Sequence, residues 1–273
     1  MRAKLISAPY TIWMALFIIV PMGLVVFFAF TDKSGAFTLD NILRVGQYSN
    51  VFLRSIWLGA IATAISLLLG YPLAYTISKM KAKRQSVMIM LVMLPMWMNF
   101  LLRTYAWMSL LEDNGLINNM LAAIGLPRVH MINTAGAVVL GMVYNYIPYM
   151  ILPIYSVLTK IDNSVIEAAQ DLGANDRKVF LKVVLPMSMP GVISGITMVF
   201  VPAVSTFIIS KMLGGGGNLL IGDLIDMQFL GSAYNPNLGS AISLVLMVII
   251  LICMGIMNQF DDGGENMGGG MIL

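Results

Sequence analysis

Charge is what this chain has least of. Only 11% of its 273 residues are Asp, Glu, Lys or Arg, less than half the share usual in a soluble domain, while 59% are hydrophobic. A water-soluble fold cannot cover that much apolar side chain. Cysteine is nearly absent as well: Cys253 stands alone in an apolar run, which excludes a disulfide framework and gives no signal of redox compartment. The one histidine, His130, has no second ligand nearby in the sequence, so no metal centre is expected. No Gly-x-x-x-x-Gly-Lys-Ser/Thr phosphate loop occurs, which argues against ATP hydrolysis by the chain on its own. Paired acids or a Ser–His arrangement within the apolar runs, as an intramembrane hydrolase would need, are missing too. No enzymatic role is expected.

What is present is apolar length. About 20 helical residues rising about 1.5 Å each cross a hydrocarbon core of about 30 Å. Six stretches meet that requirement: Leu5–Thr31, Ser55–Ser78, Gln85–Leu102 continuing past Arg103 to Leu111, Met131–Thr159, Val183–Ser210 and Met227–Phe260. Backbone groups in lipid must be satisfied within the segment, and a barrel would alternate in polarity, so the fold class is all-α integral membrane with six transmembrane helices. The first stretch is too long for a signal peptide and has no small-residue cleavage site after it, so it reads as a retained helix.

The basic residues cluster between these runs. Six crossings put both termini on one side with the loops Lys79–Arg84 and Lys160–Pro186. That side holds Arg2, Lys4, Lys79, Lys81, Lys83, Arg84, Lys160, Arg177, Lys178 and Lys182, against Lys33, Arg44, Arg54, Arg128 and Lys211 opposite. The excess predicts cytoplasmic termini in the inner membrane of a bacterium, and reports orientation, not nucleic-acid binding. Residues 1–260 read as one transmembrane permease domain, and the Gly-rich acidic tail 261–273 as disordered. On the outer side, Leu116, Ile117, Met120, Leu121 and Ile124 repeat at helical spacing, which predicts a short surface helix. A flexible Gly214–Gly217 turn then leads into amphipathic Asn218–Phe229 with Asp223 and Asp226, either a gate element or an ordinary surface hairpin.

The inner loop 160–186 carries the most information. Ser164 with Glu167 reads as a capping box, Ala168, Ala169 and Leu172 as a small apolar face, and Gly173 as the left-handed residue that ends the helix. Asp176 then caps a second helix bearing Val179, Phe180 and Val183, and Pro186 marks the start of the fifth span. Small side chains let a partner approach the backbone closely, so the loop reads as a docking element or, failing a partner, as a solvated helix.

Glu167-Ala168-Ala169, Gly173, Val183 and Leu185-Pro186 fill every slot of the EAA loop of ABC importer permease subunits, with Val183 in place of the commoner isoleucine, and the chain resembles that family. Leu94–Tyr105, Asn145-Tyr146-Ile147-Pro148 and Asn218–Leu230 are similar to PotB-type subunits of the spermidine/putrescine permeases. The resemblance implies a type I importer (MetI-like) fold and polyamine import by alternating access. It also implies that Glu167, Ala168, Ala169, Asp171, Leu172, Gly173, Ala174, Phe180, Leu185 and Pro186 couple the spans to an ATPase. The partners implied are a dimer of ATP-binding subunits holding ATP and Mg, a second permease subunit that is a paralogue, an extracytoplasmic polyamine-binding protein, and membrane lipid. The same architecture importing sulfate, ferric ion, phosphate or thiamine is the alternative.

Polar groups inside a span are costly and therefore candidates for function. Arg103, roughly 12 Å below the outer end of the third span with Asn99 one turn below it, reads as structural, paired with an acid or reaching for the interface. Glu112 and Asp113 at the mouth of that span either attract a polyamine or are ordinary loop acids. Tyr105, Tyr144, Asn145 and Tyr149 offer aromatic and amide groups to an ammonium, with interfacial packing as the rival. Pro148 and Pro153 are expected to kink the fourth span. Trp97, deep beside Pro95, completes the candidate path with Asp223 and Asp226.

Overall fold

The computed structural model describes residues 10, 12–231 and 233–268, with side chains placed as far as 257 and at 259. Among the described residues, four helices are long and apolar enough to cross a membrane: α1 (Ile12–Ala29), the stretch Asp40–Ser78, α7 (Ala135–Leu158) and the first part of the last helix, Pro236–Met257. The second stretch opens with α2 (Asp40–Val45) and continues into α3 (Ser49–Ser78). Two further pairs satisfy the length only together: α4 (Ala82–Trp97) with Phe100–Ala123, bent by 88°, and α9 (Asp176–Met187) with α10 (Met189–Ser205), bent by 61°.

The first bend corrects the expectation of one unbroken third span. Met98 and Asn99 take extended backbone angles, and Asn99 starts a new helix by accepting Leu101 N–H at 2.9 Å and Leu102 N–H at 3.3 Å. A strong cap therefore redirects the chain where hydropathy sees only continuity. Beyond it lie α5 (Phe100–Leu111) and the short α6 (Leu116–Ala123), a helix expected from the repeat of apolar residues. By contrast α7 stays one helix through Pro148 and Pro153.

The centre of the molecule is the packing of α3, α7 and α10 on one another. Met150 of α7 shows how close they come: a methyl at Gly70 of α3 would stand 3.2 Å from its Cγ, and one at Gly195 of α10 would stand 2.8 Å from its Sδ. Small residues at the contact let helix backbones approach, which dispersion rewards where lipid offers no hydrophobic gain. Around this centre, α11 (Ile208–Leu213) packs on α5 and α7, while the last helix, α13 (Pro236–Gly268), packs on α1, α2 and α12 (Ile221–Phe229). Asn237 ties α13 to the end of α1 by donating to Thr31 O at 2.8 Å. The helix α13 runs to Gly268, past the end expected at Phe260, and residues 269–273 lie outside the described part. Much of α1 turns apolar side chains outward, Leu16, Phe17 and Ile19 among them, as a lipid-facing or subunit-facing helix does.

Candidate functional site

Two regions hold the candidate residues, on opposite faces. The first is the loop 160–186. Its helix α8 (Asn163–Asp171) begins two residues earlier than a Ser164 cap would allow: Asp162 is the cap, accepting Ser164 N–H at 3.0 Å. The expected Ser164–Glu167 box is thus corrected, and in the same way Asn175, accepting Lys178 N–H at 3.0 Å, replaces Asp176 as the cap of α9. In both places the Asx side chain stands one or two residues upstream and meets the free amides first. The Ser164 amide N–H, followed by the Ser164 hydroxyl, holds the Asp162 carboxyl below the usual carboxylate range.

Gly173 does what its sequence position implies. It takes φ +82°, its N–H donates to Gln170 O at 2.8 Å, and Ala174 N–H donates to Ala169 O at 3.1 Å, closing a Schellman turn. Nothing lies within 4 Å of a Cβ built there, so the requirement is conformational alone. The turn splits the expected small face in two. Ala169, with Ile166 and Ala174, packs toward the body of the protein, whereas Val165, Ala168 and the 89% exposed Leu172 point outward at helical spacing. Glu167 and Asp171 are exposed beside them.

The loop is fastened to the spans through aromatic rings. Phe180 meets Tyr71 and Tyr75 of α3 edge-on, at centroid distances of 5.9 and 5.3 Å. Tyr71 Oη shares a hydrogen bond of 2.8 Å with Ser188 Oγ, at the bend between α9 and α10. These contacts join α9 and the α9–α10 bend to α3. Leu185 is half-buried in this cluster and Pro186 is exposed. Tyr71 and Ser188 carry no local signal, being 117 residues apart.

The second region is on the opposite face. It gathers some of the candidate path residues and separates others. Trp97 (72% exposed), Asn99 and Tyr105 lie along the α4–α5 bend and its outer surface, with Asn99 occupied as a cap. Glu112 is exposed at the end of α5, and Asp113 pairs with His130 at 2.8 Å, which gives the lone histidine a carboxylate neighbour. No group of three or more potential metal ligands occurs among the described residues. Arg103 corrects the expectation of an acid partner: it is only 8% exposed, lies 5.8 Å from the Phe100 ring, and its Nε and Nη1 have no acceptor among the described residues.

On α7, Tyr144 stacks edge-on with Trp107 at 5.3 Å and lines a 730 Å³ apolar groove between α3 and α7. Asn145 is buried and donates to Gly141 O of its own helix at 2.8 Å, leaving Oδ1 without a donor, while Tyr149 is partly exposed. Gly141 lets α11 press against α7, because a methyl there would collide with Leu213 and Ile209.

Asp223 and Asp226 are brought together on α12, facing α11. Asp223 Oδ2 accepts Leu220 N–H at 2.9 Å, and Asp226 pairs with Lys211 at 3.2 Å, a partner fifteen residues away that spacing on α12 could not announce. Burial pushes the Asp223 carboxyl above the usual carboxylate range, against the opposing pull of Leu220 N–H. The Gly214–Gly217 turn is held at both ends: Arg54 Nη1 donates to Gly217 O at 2.7 Å, and Asn218 Nδ2 donates to Gly214 O at 2.8 Å.

Residues 2–262 match the family described as binding-protein-dependent transport system inner membrane component. The spermidine/putrescine transport system permease protein PotB of Haemophilus influenzae is 38% identical over 250 residues, covering 88% of this chain and 87% of that protein. PotB of Escherichia coli K12 is 35% identical over 248 residues, covering 87% and 90%. Among solved structures, a bacterial ABC transporter importing the polysaccharide alginate superposes with a TM-score of 0.77 over 94% of each chain, at 21% identity. The MetNI methionine transporter in an inward-facing form superposes at 0.60 over 79% of this chain and 95% of that one, at 15% identity. These two likenesses establish the fold, an all-helical MetI-like permease. By its family match and its kinship with the PotB proteins, the chain belongs to the inner membrane components of binding-protein-dependent transport systems, the permease subunits of ABC importers.

Proposed function

We propose that this chain is the permease subunit of an ABC importer that carries spermidine and putrescine across the inner membrane. The observation that carries the reading is identity of 38% to a PotB protein sustained over 88% of the chain. Each bent helix pair makes one crossing in this reading, for six in all, and the excess of basic residues beside α8 supports a cytoplasmic position for that face and both termini. Residues 1–260 then act as one domain.

The coupling residues are those of the exposed loop. Val165, Ala168 and Leu172 form the surface on which an ATPase subunit seats, flanked by Glu167 and Asp171, and ATP and Mg are bound by that partner. Closure of the ATPase dimer moves α8, and the Phe180 contacts with Tyr71 and Tyr75 pass the movement to α3 and α10. A second permease subunit, a paralogue, completes the path. A polyamine-binding protein delivers substrate to the opposite face, where Trp97, Asn99, Tyr105, Glu112, Asp113, Tyr144, Asn145, Tyr149, Asp223 and Asp226 are the candidate path residues.

Uptake by the reconstituted complex, measured with labelled spermidine, putrescine, sulfate and ferric ion, tests the substrate class. ATP-dependent uptake of the two polyamines alone is expected. Uptake of sulfate or iron without polyamine would overturn the assignment.

A further inference from the structure

A buried carboxylate oxygen with nothing donating to it needs a cation or a proton. Asp223 supplies one. The residue is 6% exposed, and while Oδ2 is engaged by Leu220 N–H, Oδ1 has no hydrogen-bond partner among the described residues. Ser210 stands beside it, donating to Phe207 O at 3.0 Å, and its hydroxyl draws the Asp223 carboxyl down in the same sense as Leu220 N–H without offsetting the effect of burial. Asp223 lines a 120 Å³ pocket with Ser210, Lys211, Gly215, Gly216 and Asp226. Gly222, the neighbour of Asp223, fixes the start of α12 against the end of α10, because any side chain there would strike the carbonyl oxygens of Ser205 and Thr206.

The pocket already contains one ammonium group, that of this chain. Lys211 Nζ lies 3.2 Å from Asp226 Oδ2, with the lysine side chain 68% exposed and the aspartate 19%. The lysine thus reaches in from solvent, and an exposed ion pair of this kind is worth at most about 1 kcal/mol. A competing ammonium could displace it at little cost. We infer that the α11–α12 pocket is a subsite for the primary ammonium end of a chain-like amine, with Asp223 as its anionic floor, Asp226 as its rim, and Lys211 as a tethered cation that the amine displaces.

Size and chemistry agree with that ligand. At about 30 Å³ per water the pocket holds a few waters' worth of volume, enough for an alkylammonium end and too little for a whole polyamine. Charge-assisted hydrogen bonds to two carboxylates would recognise an –NH₃⁺ group, whose three donors match the free oxygens. The elevated affinity of the Asp223 carboxyl for its proton, caused by burial, means that an arriving ammonium also holds the carboxyl ionised. The subsite rests on the polyamine reading above, since it gives one end of that substrate a place on this chain.

The assembled complex carries the test. Asp223→Asn keeps an oxygen to accept Leu220 N–H, so α12 stays capped. Loss of one charge-assisted bond, worth roughly 1.5 kcal/mol, predicts about a tenfold fall in maximal spermidine uptake, with thermal stability and the half-saturating concentration of loaded binding protein unchanged. Lys211→Met frees Asp226 and is expected to tighten spermidine binding to the complex severalfold. A transport-independent readout is the infrared carboxyl band abolished by Asp223→Asn: n-butylammonium should convert it from acid to carboxylate. Wild-type rates in Asp223→Asn, or a carboxyl band indifferent to n-butylammonium, overturn the subsite. A complex that imports no polyamine but shows the band shift overturns the function and leaves the subsite standing.

Discussion

Asp162 and Asp223 do the same local job on opposite faces of the molecule, each accepting a backbone N–H at the start of a short helix, at 3.0 and 2.9 Å. Their surroundings differ. Asp162 is solvent-exposed and its carboxyl is lowered by the Ser164 hydrogen bonds, whereas Asp223 is buried and its carboxyl is raised by desolvation. The contrast separates two ways of building a site. The α8 face is assembled from local turns and presents its side chains to a partner; the α11–α12 face is assembled from tertiary packing and hides its charge. Substitutions on the exposed α8 face should therefore act on association, and substitutions that overfill the packed α11–α12 contacts should act on folding.

The largest effect expected is at Gly222. Valine there meets the Ser205 and Thr206 carbonyl oxygens inside contact distance, and overpacking of this kind costs about 1–3 kcal/mol. Gly222→Val should lower the thermal unfolding midpoint of the solubilised protein by several degrees, and an unchanged midpoint would show that the hairpin is not packed as described.

The two aspartates should respond to acid with opposite sign. A raised carboxyl contributes stability that is complete below its unfolded value near 3.8 and is lost as pH rises through the raised value, so α12 is tightened by acidification. A lowered carboxyl contributes stability above 3.8 that is lost as pH falls through the lowered value, so the α8 cap is loosened. Hydrogen exchange followed down to about pH 3, with the intrinsic pH dependence of exchange divided out, should show protection rising in α12 and falling in α8, and Asp223→Asn should remove the first response alone.

The smallest stability effect is expected at the most exposed coupling residue. Leu172→Ser removes an apolar side chain that touches little of its own chain, so the unfolding free energy should move by no more than about 0.5 kcal/mol. Co-purification of the ATPase subunit should nonetheless weaken. A destabilised protein with full ATPase binding would reverse the proposed contrast between the faces.

How far these regions were legible follows the same divide. The positive φ of Gly173 was readable because a helix ending in Gly-Ala is a local event, and the six apolar runs were readable because hydropathy needs no tertiary information. The caps were misplaced by a residue or two because Asp162 and Asn175 compete with Ser164 and Asp176 for the same amides, and only geometry decides between neighbours. The 88° break was missed because Met98 and Asn99 sit inside an apolar run, although Asn99 before Phe100-Leu101-Leu102 is itself a cap signal. Partners distant in sequence were out of reach: Tyr71 with Ser188, Lys211 with Asp226, and the isolation of Arg103 depend on which helices pack together.

The central claim is that the loop Glu167–Ala174 links ATP hydrolysis to transport, and the ratio of spermidine imported to ATP hydrolysed in proteoliposomes tests it most directly. Gly173→Val forces a β-branched residue toward φ +82° with no steric contact to blame, at a cost of about 1–2 kcal/mol in the turn alone. The account predicts a complex whose spans remain folded but whose uptake per ATP falls about tenfold or more. An unchanged ratio in that variant would contradict it.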